Sequence, residues 1–406
     1  MTSRRSIRIA LATALGSLMI ATVALAGPKL TFGPENQGTL ELQYKGQFQV
    51  IARDFGSGLA GDQNTYNFNF RRNRLALMGT YGEKVTFYVQ SEFTEDPTVT
   101  TLSVLPAEPG SNFQLLDAVV RFNLRDDFRV HVGKFKYNFS RENLAAGENP
   151  LTLDRSLFAR APYVTTRDMG VGVWGNLLRD RVQYRVDMME GRKAVASPVV
   201  PKSNFRYSAR GHVTLFEPES EYGYKGTYVG TKKVLTLGGA VQYEPNVAWA
   251  DPTQMTEVKS YTGWTVDGML EYPFPKFGTA TLGMAYEKVD FDDSYLALHP
   301  DLGTVGLDGA KNGGYVKAAY LLPKMPLQVF GRYERWRFAM LDNVYDQRID
   351  WTAGGVNYYV WGQNLKLTAE VSNTRFLHQG TFDGLQGSGL TSHDFNTVVG
   401  QLQVIF

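Results

Sequence analysis

The chain ends in the stretch Thr397-Val398-Val399-Gly400-Gln401-Leu402-Gln403-Val404-Ile405-Phe406, in which apolar and polar side chains alternate. Val398, Leu402 and Phe406 share one parity, and Gln401 and Gln403 share the other. A period of two residues is typical of a β-strand with two unlike faces. The C-terminus is therefore predicted to be a strand that separates an apolar environment from a polar one.

The same alternation recurs from about residue 40 onward, in segments bounded by Gly, Pro, Asn or Asp. Because each segment is about ten to fourteen residues long, it is longer than the five to six residues of an average soluble strand. The sixteen predicted strands are about 40–52, 66–79, 83–93, 113–124, 127–136, 166–178, 181–190, 204–216, 233–244, 259–273, 278–289, 312–322, 327–338, 349–361, 364–375 and 393–406.

The connections between these strands alternate in length. Tight connections are predicted at 80–82, 125–126, 178–180, 274–277, 323–326 and 362–363. Mostly long ones are predicted at 53–65, 94–112, 137–165, 191–203, 245–258, 290–311, 339–348 and 376–392. Short turns at one rim and long loops at the other are typical of a bacterial outer-membrane barrel. One connection departs from this alternation of short and long. A short turn is expected at 217–232, but the connection there is long.

A soluble β-sandwich is the alternative, but strands of this length suit a tilted bilayer crossing of about nine to eleven residues. In lipid every backbone donor must be paired, so such a sheet has to close on itself. The sequence therefore predicts an all-β fold, a sixteen-stranded antiparallel transmembrane β-barrel. A barrel of this size is too wide for side chains to fill, which predicts a water-filled lumen and passive diffusion.

The N-terminus has the pattern of an export signal. Arg4, Arg5 and Arg8 precede the apolar residues 11–25, and Ala24-Leu25-Ala26 forms a small-residue cleavage site. We predict a signal peptide at 1–26 removed near Ala26, an N-terminal periplasmic segment at 27–39 and the barrel at 40–406. The location that follows is the outer membrane of a Gram-negative bacterium, in contact with its lipid and lipopolysaccharide.

Composition excludes several classes of function. The chain of 406 residues has no Cys, which excludes zinc fingers, iron–sulfur ligation and thiol catalysis. Without residues 1–26 it has 39 basic and 40 acidic residues, so nucleic acid is not an expected partner. No apolar run approaches the 18 or so residues of a transmembrane helix. We expect no metal ion and no cofactor, since no complete ligand series and no haem-attachment motif occurs.

Parity predicts which charged residues face the lumen. A charge turned toward lipid at the bilayer midplane costs about 2–4 kcal/mol for Arg or Lys, so charges belong on the inner face. Phe68 and Phe70 share parity with Arg72 and Arg74, and a β-bulge would resolve this conflict. Arg71 therefore also remains a candidate. The predicted anion-binding wall residues are Arg71, Arg72, Arg74, Arg121, Arg129, Lys134, Arg185, Arg206 and Arg210. Predicted inward acids are Asp117, Asp187, Asp267, Glu271, Glu287, Glu334 and Glu370.

The long connection 137–165 is predicted to be a constriction loop that folds into the lumen. It and its edge add Arg141, Arg155, Arg160 and Arg167 to the predicted pore-lining set. Rings of basic residues at a constriction favour anions, and the planar guanidinium matches phosphate-like oxygens. The alternatives are an external surface loop and a wall of mutually paired charges that selects nothing.

Several stretches resemble the phosphate-selective porin family of Gram-negative outer membranes. They are Phe70-Arg71-Arg72-Asn73-Arg74-Leu75, Leu116-Asp117-Ala118, Val130-His131-Val132-Gly133-Lys134-Phe135-Lys136, Asn138-Phe139-Ser140-Arg141-Glu142, Asp154-Arg155-Ser156 and Arg167-Asp168-Met169-Gly170-Val171. The resemblance implies a trimeric, sixteen-stranded pore whose third loop folds inward. It also implies anion-guiding roles for Arg71, Arg72 and Arg74 on the wall and for Arg141, Arg155 and Arg160 in the loop.

Three other functions remain open from the sequence. The first is a porin for other small solutes, such as sugars or carboxylates. The second is a structural sleeve around a partner protein. The third is an outer-membrane hydrolase, for which His212, Ser208 and Asp187 are the candidates, but no spacing supports a catalytic triad. We expect a porin that prefers small anions, forms a homotrimer and is not an enzyme.

Overall fold

A computed structural model of the protein describes residues 27–57, 62–93, 113–157, 166–191, 201–202, 204–251, 254–290, 310–341, 345–381, 391–392 and 394–406. Sixteen antiparallel strands form the wall, and each pairs with the next along the chain. They are β1 Gly38–Ser57, β2 Gln63–Tyr81, β3 Val85–Glu92, β4 Gln114–Arg125, β5 Phe128–Phe135, β6 Asp168–Leu177, β7 Val182–Met189, β8 Arg206–Thr214, β9 Val234–Asp251, β10 Thr256–Phe274, β11 Gly278–Asp290, β12 Ala310–Leu321, β13 Leu327–Leu341, β14 Tyr345–Trp361, β15 Leu365–Phe376 and β16 Phe395–Ile405.

The barrel closes because its last strand pairs with its first. In this pairing Val398 of β16 lies opposite Ala52 of β1, and Val404 lies opposite Gly46. The backbones of Tyr44 and Phe406 exchange two hydrogen bonds of 2.7 and 3.0 Å at the end of the seam. The predicted sixteen-stranded antiparallel barrel is therefore confirmed.

The predicted alternation separates two environments across the wall. In β16 the outward Val398 is 51% exposed, whereas the inward Gln403 is fully buried. Apolar side chains thus cover the outer surface, as lipid contact requires. Among the described residues, no helix has both the length and the apolar character needed to cross a membrane.

The conflict of parity in β2 is resolved by the predicted bulge. Gln47 of β1 pairs with Arg72, but the next residue, Phe48, pairs with Phe70, so Arg71 is the extra residue. Phe70 therefore points outward while Arg72 points inward, and Arg71 also reaches an inner loop. The one additional residue in the bulge allows the phenylalanines to face outward and the arginines after them to face inward.

Several strands are longer than the sequence predicted. The expected loops 53–65, 245–258 and 339–348 shrink to 58–62, 252–255 and 342–344, because strands occupy most of each interval. Gln63 and Glu257 fall in connections predicted from the sequence, but here they belong to strands. The N-terminal segment also contains a short strand, Lys29–Phe32, which pairs with Gly38–Glu41.

Two inner segments occupy part of the lumen. The first is the described part of the connection between β5 and β6, residues 136–157, which we call the inner loop; it contains one helical turn, Arg141–Leu144. Its Leu153 packs on Ile51 and Val399. Its Leu151 packs on Ala319 and Phe330, so the loop touches distant parts of the wall. The second is the connection between β8 and β9, residues 215–233, which we call the inner turn.

Candidate functional site

A cavity of about 880 Å³ lies between the first six strands and the two inner segments. It extends from Glu83, Lys84 and Asp126 at the rim of the short turns to Glu148 and Arg167 deeper in the barrel. The basic residues that line it are Lys45, Arg74, Lys84, Arg121, Arg125, Arg129, Lys136 and Arg167, and the acidic ones are Glu83, Asp117, Asp126, Glu148 and Glu221. The lining has eight basic against five acidic side chains, and the excess falls to one when Glu92 and Asp127, the partners of Arg74 and Arg125, are counted. The near-neutral chain therefore concentrates positive charge along one side of its lumen.

The deep end of the cavity is an ion-pair network. Arg74 donates to both carboxylate oxygens of Glu92 at 2.9 and 3.1 Å. Glu148 of the inner loop lies 3.2 Å from the ammonium of Lys45. Burial opposes the charge on Glu148, but Lys45 and then Arg74 outweigh it and hold the pKa of Glu148 well below its ordinary value. The network therefore fixes the inner loop to β1 and β2.

Besides Lys84 at the rim, two cations on the cavity wall lack a carboxylate partner among the described residues. Arg121 of β4 stacks near the Tyr88 ring, 5.7 Å from its centroid, and its Nε is buried without a hydrogen-bond partner. Lys136 donates only to the carbonyl oxygens of Leu144 and Ala145. Burial, followed by the charges of Arg155 and Arg167, lowers the pKa of Lys136. Since anions relieve such crowding of positive charge, these groups are able to attract anionic solutes.

Arg71 and Arg72 attach the inner loop to the wall. Asp154 accepts from Arg71 at 2.6 Å and from Arg72 at 2.8 Å. A Cβ on Gly147 would lie 2.5 Å from Nε of Arg72, so the loop backbone approaches this guanidinium closely. Arg155 donates to the carbonyls of Glu142 and Asn143 at 3.3 and 3.4 Å. These arginines neighbour the cavity without being among the residues that line it.

Four of the predicted arginines are buried beneath or within the inner segments. Arg210 is bidentate to Asp267 at 2.7 and 2.8 Å, and Arg206 pairs with Asp168 at 2.9 Å. Arg185 lies against the rings of Tyr222 and Tyr224. Arg141 is buried against Glu219. Alternation correctly predicted that these wall arginines face inward. They are nevertheless buried, because the inner segments cover that part of the inner face.

The remaining four predicted residues are Lys134, Arg129, Arg160 and Arg167. Lys134 shares the outward parity of Val132, is not among the residues that line the cavity and donates to the Leu115 carbonyl at 2.8 Å. Arg129 lines the cavity near its mouth, where it pairs with Asp126 at 2.7 Å. Arg160 lies outside the described residues. Arg167 lines the deep end and pairs with Asp117 at 2.9 Å.

The structure adds lining residues that the sequence reasoning missed. Lys45 follows the inward parity of Gln43 and Gln47, so alternation in β1 was an available signal. Glu148 and Tyr222 belong to the inner segments, where no periodic signal shows which side chain faces the cavity. Trp174 donates to Nε2 of His131 at 2.8 Å and lines the same cavity.

The residues considered for hydrolysis are not brought together. Ser208 and His212 are four residues apart in β8, which separates them by about 13 Å along a strand. Nδ1 of His212 lies 2.6 Å from the hydroxyl of Tyr224. The hydroxyl of Ser208 accepts from Gln242 instead. A nucleophile and its base must be within hydrogen-bond reach, which this geometry does not provide.

Comparisons with known proteins agree with this architecture. An anion-selective porin from Comamonas acidovorans matches 91% of this chain and 100% of its own, at 12% identity and a TM-score of 0.58. The outer membrane channel DcaP of Acinetobacter baumannii matches 94% of this chain and 100% of its own, at 16% identity and a TM-score of 0.56. At these identities the likeness is one of fold. No curated protein sequence matches significantly.

A family model places the chain more specifically. The model described as phosphate-selective porin O and P matches residues 42–259, which is more than half of the chain and spans β1 to β9, the inner loop and the inner turn. Members of this family are channels of the outer membrane through which solutes diffuse passively. The chain thus belongs to the phosphate-selective porin O and P family.

Proposed function

We propose that this porin prefers small anions and that they pass along the cavity beside the first six strands. The observation that supports the proposal is the excess of basic over acidic side chains on that wall, eight against five. Rings of basic groups in a narrow aqueous passage replace part of an anion's hydration and repel cations. On the rest of the inner face, charged residues of the wall are buried and pair with one another, as Arg210 of β8 does with Asp267 of β10.

Phosphate-like solutes are the class that the deep end of the cavity suits. Lys136, Arg155 and Arg167 are close together there, and burial, followed by the charges of Arg155 and Arg167, lowers the pKa of Lys136. Guanidinium and ammonium groups bind tetrahedral oxyanions through several charge-assisted hydrogen bonds. The ion pair of Arg167 with Asp117 moderates this positive charge, which favours passage over tight binding.

A reversal potential across a planar bilayer in a salt gradient tests the proposal. The sign expected is that of a channel more permeable to anions, and a sign showing preference for cations would contradict it. The main alternative is a porin for sugars or for carboxylates. A titration of current block with phosphate, sulfate and a neutral sugar separates these possibilities. If solutes bind at Lys136, Arg155 and Arg167, only the oxyanions should block the current.

A sleeve for a partner protein is less well supported than a pore. The inner loop and inner turn occupy the lumen, and the cavity left beside them is about 880 Å³. That volume suits small solutes, since ligand sites typically measure about 300–1,000 Å³. We also propose that the chain has no catalytic role, in keeping with the separation of Ser208 from His212.

We further propose a homotrimer in the outer membrane, with lipid and lipopolysaccharide around the rest of the barrel. The strands β3 to β8 have only 8 to 12 residues, whereas β9 and β10 have 18 and 19. An eight-residue strand tilted by about 40° rises about 21 Å, less than the apolar band of about 25 Å. This low wall is therefore the side that a neighbouring copy would cover. The removal of residues 1–26 near Ala26 is part of the same proposal.

A further inference from the structure

The inner turn, residues 215–233, is the exception among the connections at its rim. The other six connections there, at 82–84, 126–127, 178–181, 275–277, 322–326 and 362–364, contain two to five residues, and this one contains nineteen. A connection of that length without regular structure usually has a function. Instead of extending from the barrel, it folds into the lumen, where Glu219, Tyr224 and Thr227 are almost completely buried.

The barrel wall holds the inner turn at two places. Glu271 of β10 accepts hydrogen bonds from the backbone of Tyr228 at 2.8 Å and of Gly230 at 2.7 Å. Val229 between them has φ of 54°, a strained conformation for a β-branched residue that these bonds maintain. At the other end, the side chain of Asn176 in β6 donates to the carbonyl of Ser220 at 3.0 Å. Hydrogen bonds to β6 and β10 therefore hold the inner turn in a fixed position inside the lumen.

The inner turn also contacts the inner loop, which enters from the opposite rim. Arg141 of the loop is bidentate to Glu219 of the turn at 2.8 and 2.7 Å, and both side chains are buried. The amide of Gly226 donates to the carbonyl of Asn149 at 2.8 Å. A Cβ on Gly226 would lie 2.5 Å from the backbone nitrogen of Leu151, so only glycine fits this contact.

One face of the inner turn lines the passage. Glu221, Tyr222 and Gly223 border the cavity opposite the wall that carries Arg121. The hydroxyl of Tyr222 donates to the carbonyl of Lys136 at 3.1 Å. Its ring packs against His131, with the centroids 4.6 Å apart. Tyr222 is thus positioned between the mouth of the cavity and its cationic deep end.

We propose that the inner turn is a second constriction element, in which Tyr222 limits the cross-section of the passage and the Arg141–Glu219 pair holds the turn against the inner loop. The inference rests on the proposed function, since it assigns a size-limiting role within the same pore. The turn and the loop would then set the width together, one entering from each rim. Charge selection would remain with the basic wall, because Tyr222 is neutral.

Single-channel recordings of Tyr222→Ala, Tyr222→Phe and the unaltered protein test this proposal. We expect Tyr222→Ala to raise the open-channel conductance and the size of the largest neutral polymer that enters. The ratio of anion to cation permeability should stay the same. Tyr222→Phe keeps the ring and should conduct like the unaltered protein. Equal conductance and equal polymer exclusion in all three proteins would overturn the proposal while leaving the pore itself established.

A second variant tests the contact between the two segments. Glu219→Gln should increase the frequency of brief changes of conductance level, because the turn is then held less firmly against the loop. Since the chain has no Cys, Tyr222→Cys can be treated with a charged thiol reagent, which should reduce the current. Val213→Cys, on the outward face of β8, is the matched control and should not respond. The proposal would also be overturned if Glu219→Gln shows no more brief changes of conductance level than the unaltered protein and the thiol reagent does not reduce the current through Tyr222→Cys.

Discussion

Replacing Arg121 by alanine removes a positive charge from the cavity wall that forms no ion pair with a carboxylate of the described residues. The lining would then carry seven basic against five acidic side chains. In water, a unit charge at 4 Å stabilises a monovalent anion by about 1 kcal/mol, which is about a fivefold change in occupancy. Salt of about 0.1 M screens part of this effect, so we expect a two- to fivefold fall in the ratio of anion to cation permeability.

The assay is the reversal potential of the purified variant across a planar bilayer with a tenfold salt gradient. Lys134→Ala is the matched control, because it removes the same charge from a neighbouring strand but on the outward face. Its reversal potential should equal that of the unaltered protein. An unchanged potential in Arg121→Ala, or equal changes in both variants, would refute the placement of the anion pathway.

Three further outcomes follow from specific contacts. Asp117→Asn removes the carboxylate that offsets Arg167 at 2.9 Å, so the reversal potential should move toward stronger anion preference; a move toward cations would contradict this. Burial opposes the charge on Glu219, but Arg141 lowers the pKa of Glu219 to about 2. The stabilisation from this pair is therefore complete above the unfolded pKa of about 4.3 and lost as the pH falls through about 2. Glu219→Gln should lower the free energy of unfolding by about 3 kcal/mol at pH 7, and the difference should shrink on acidification to pH 2; thermal unfolding in detergent measures both. Val186→Cys on β7 of the low wall should form disulfide-linked dimers in the membrane, whereas Val266→Cys on the longer strand β10 should not; the reverse pattern would place the subunit interface elsewhere.

The barrel could be predicted from sequence because its pattern is enforced at every position of the wall. In β16 each outward residue meets lipid and each inward residue meets polar groups, so Val398 and Gln403 could not exchange faces. The same energetic rule identified the bulge at Arg71, where two incompatible parities met. Strand ends were harder to predict, since Gln63 and Glu257 lie beyond the region in which alternation is required.

The site was only partly predictable, because parity separates inside from outside but does not show what covers the inner face. Arg185 and Arg121 both point inward. The rings of Tyr222 and Tyr224 cover Arg185, whereas Arg121 lines the cavity. That difference comes from contacts between residues far apart in sequence. The length of the connection between β8 and β9 was the one sequence signal of the inner turn, and it carried no information about direction.

In the proposed pathway, solutes pass along the basic wall, while the inner segments fill the opposite side of the lumen. Thr86 lines the cavity on β3, and Thr281 of β11 faces inward but is 3% exposed and lies 3.3 Å from Glu271. The most direct test is the rate at which a charged thiol reagent reduces the current through Thr86→Cys and through Thr281→Cys. We expect rapid reduction in the first and no response in the second. Equal rates of reaction, or reaction of Thr281→Cys alone, would contradict a pathway along the basic wall.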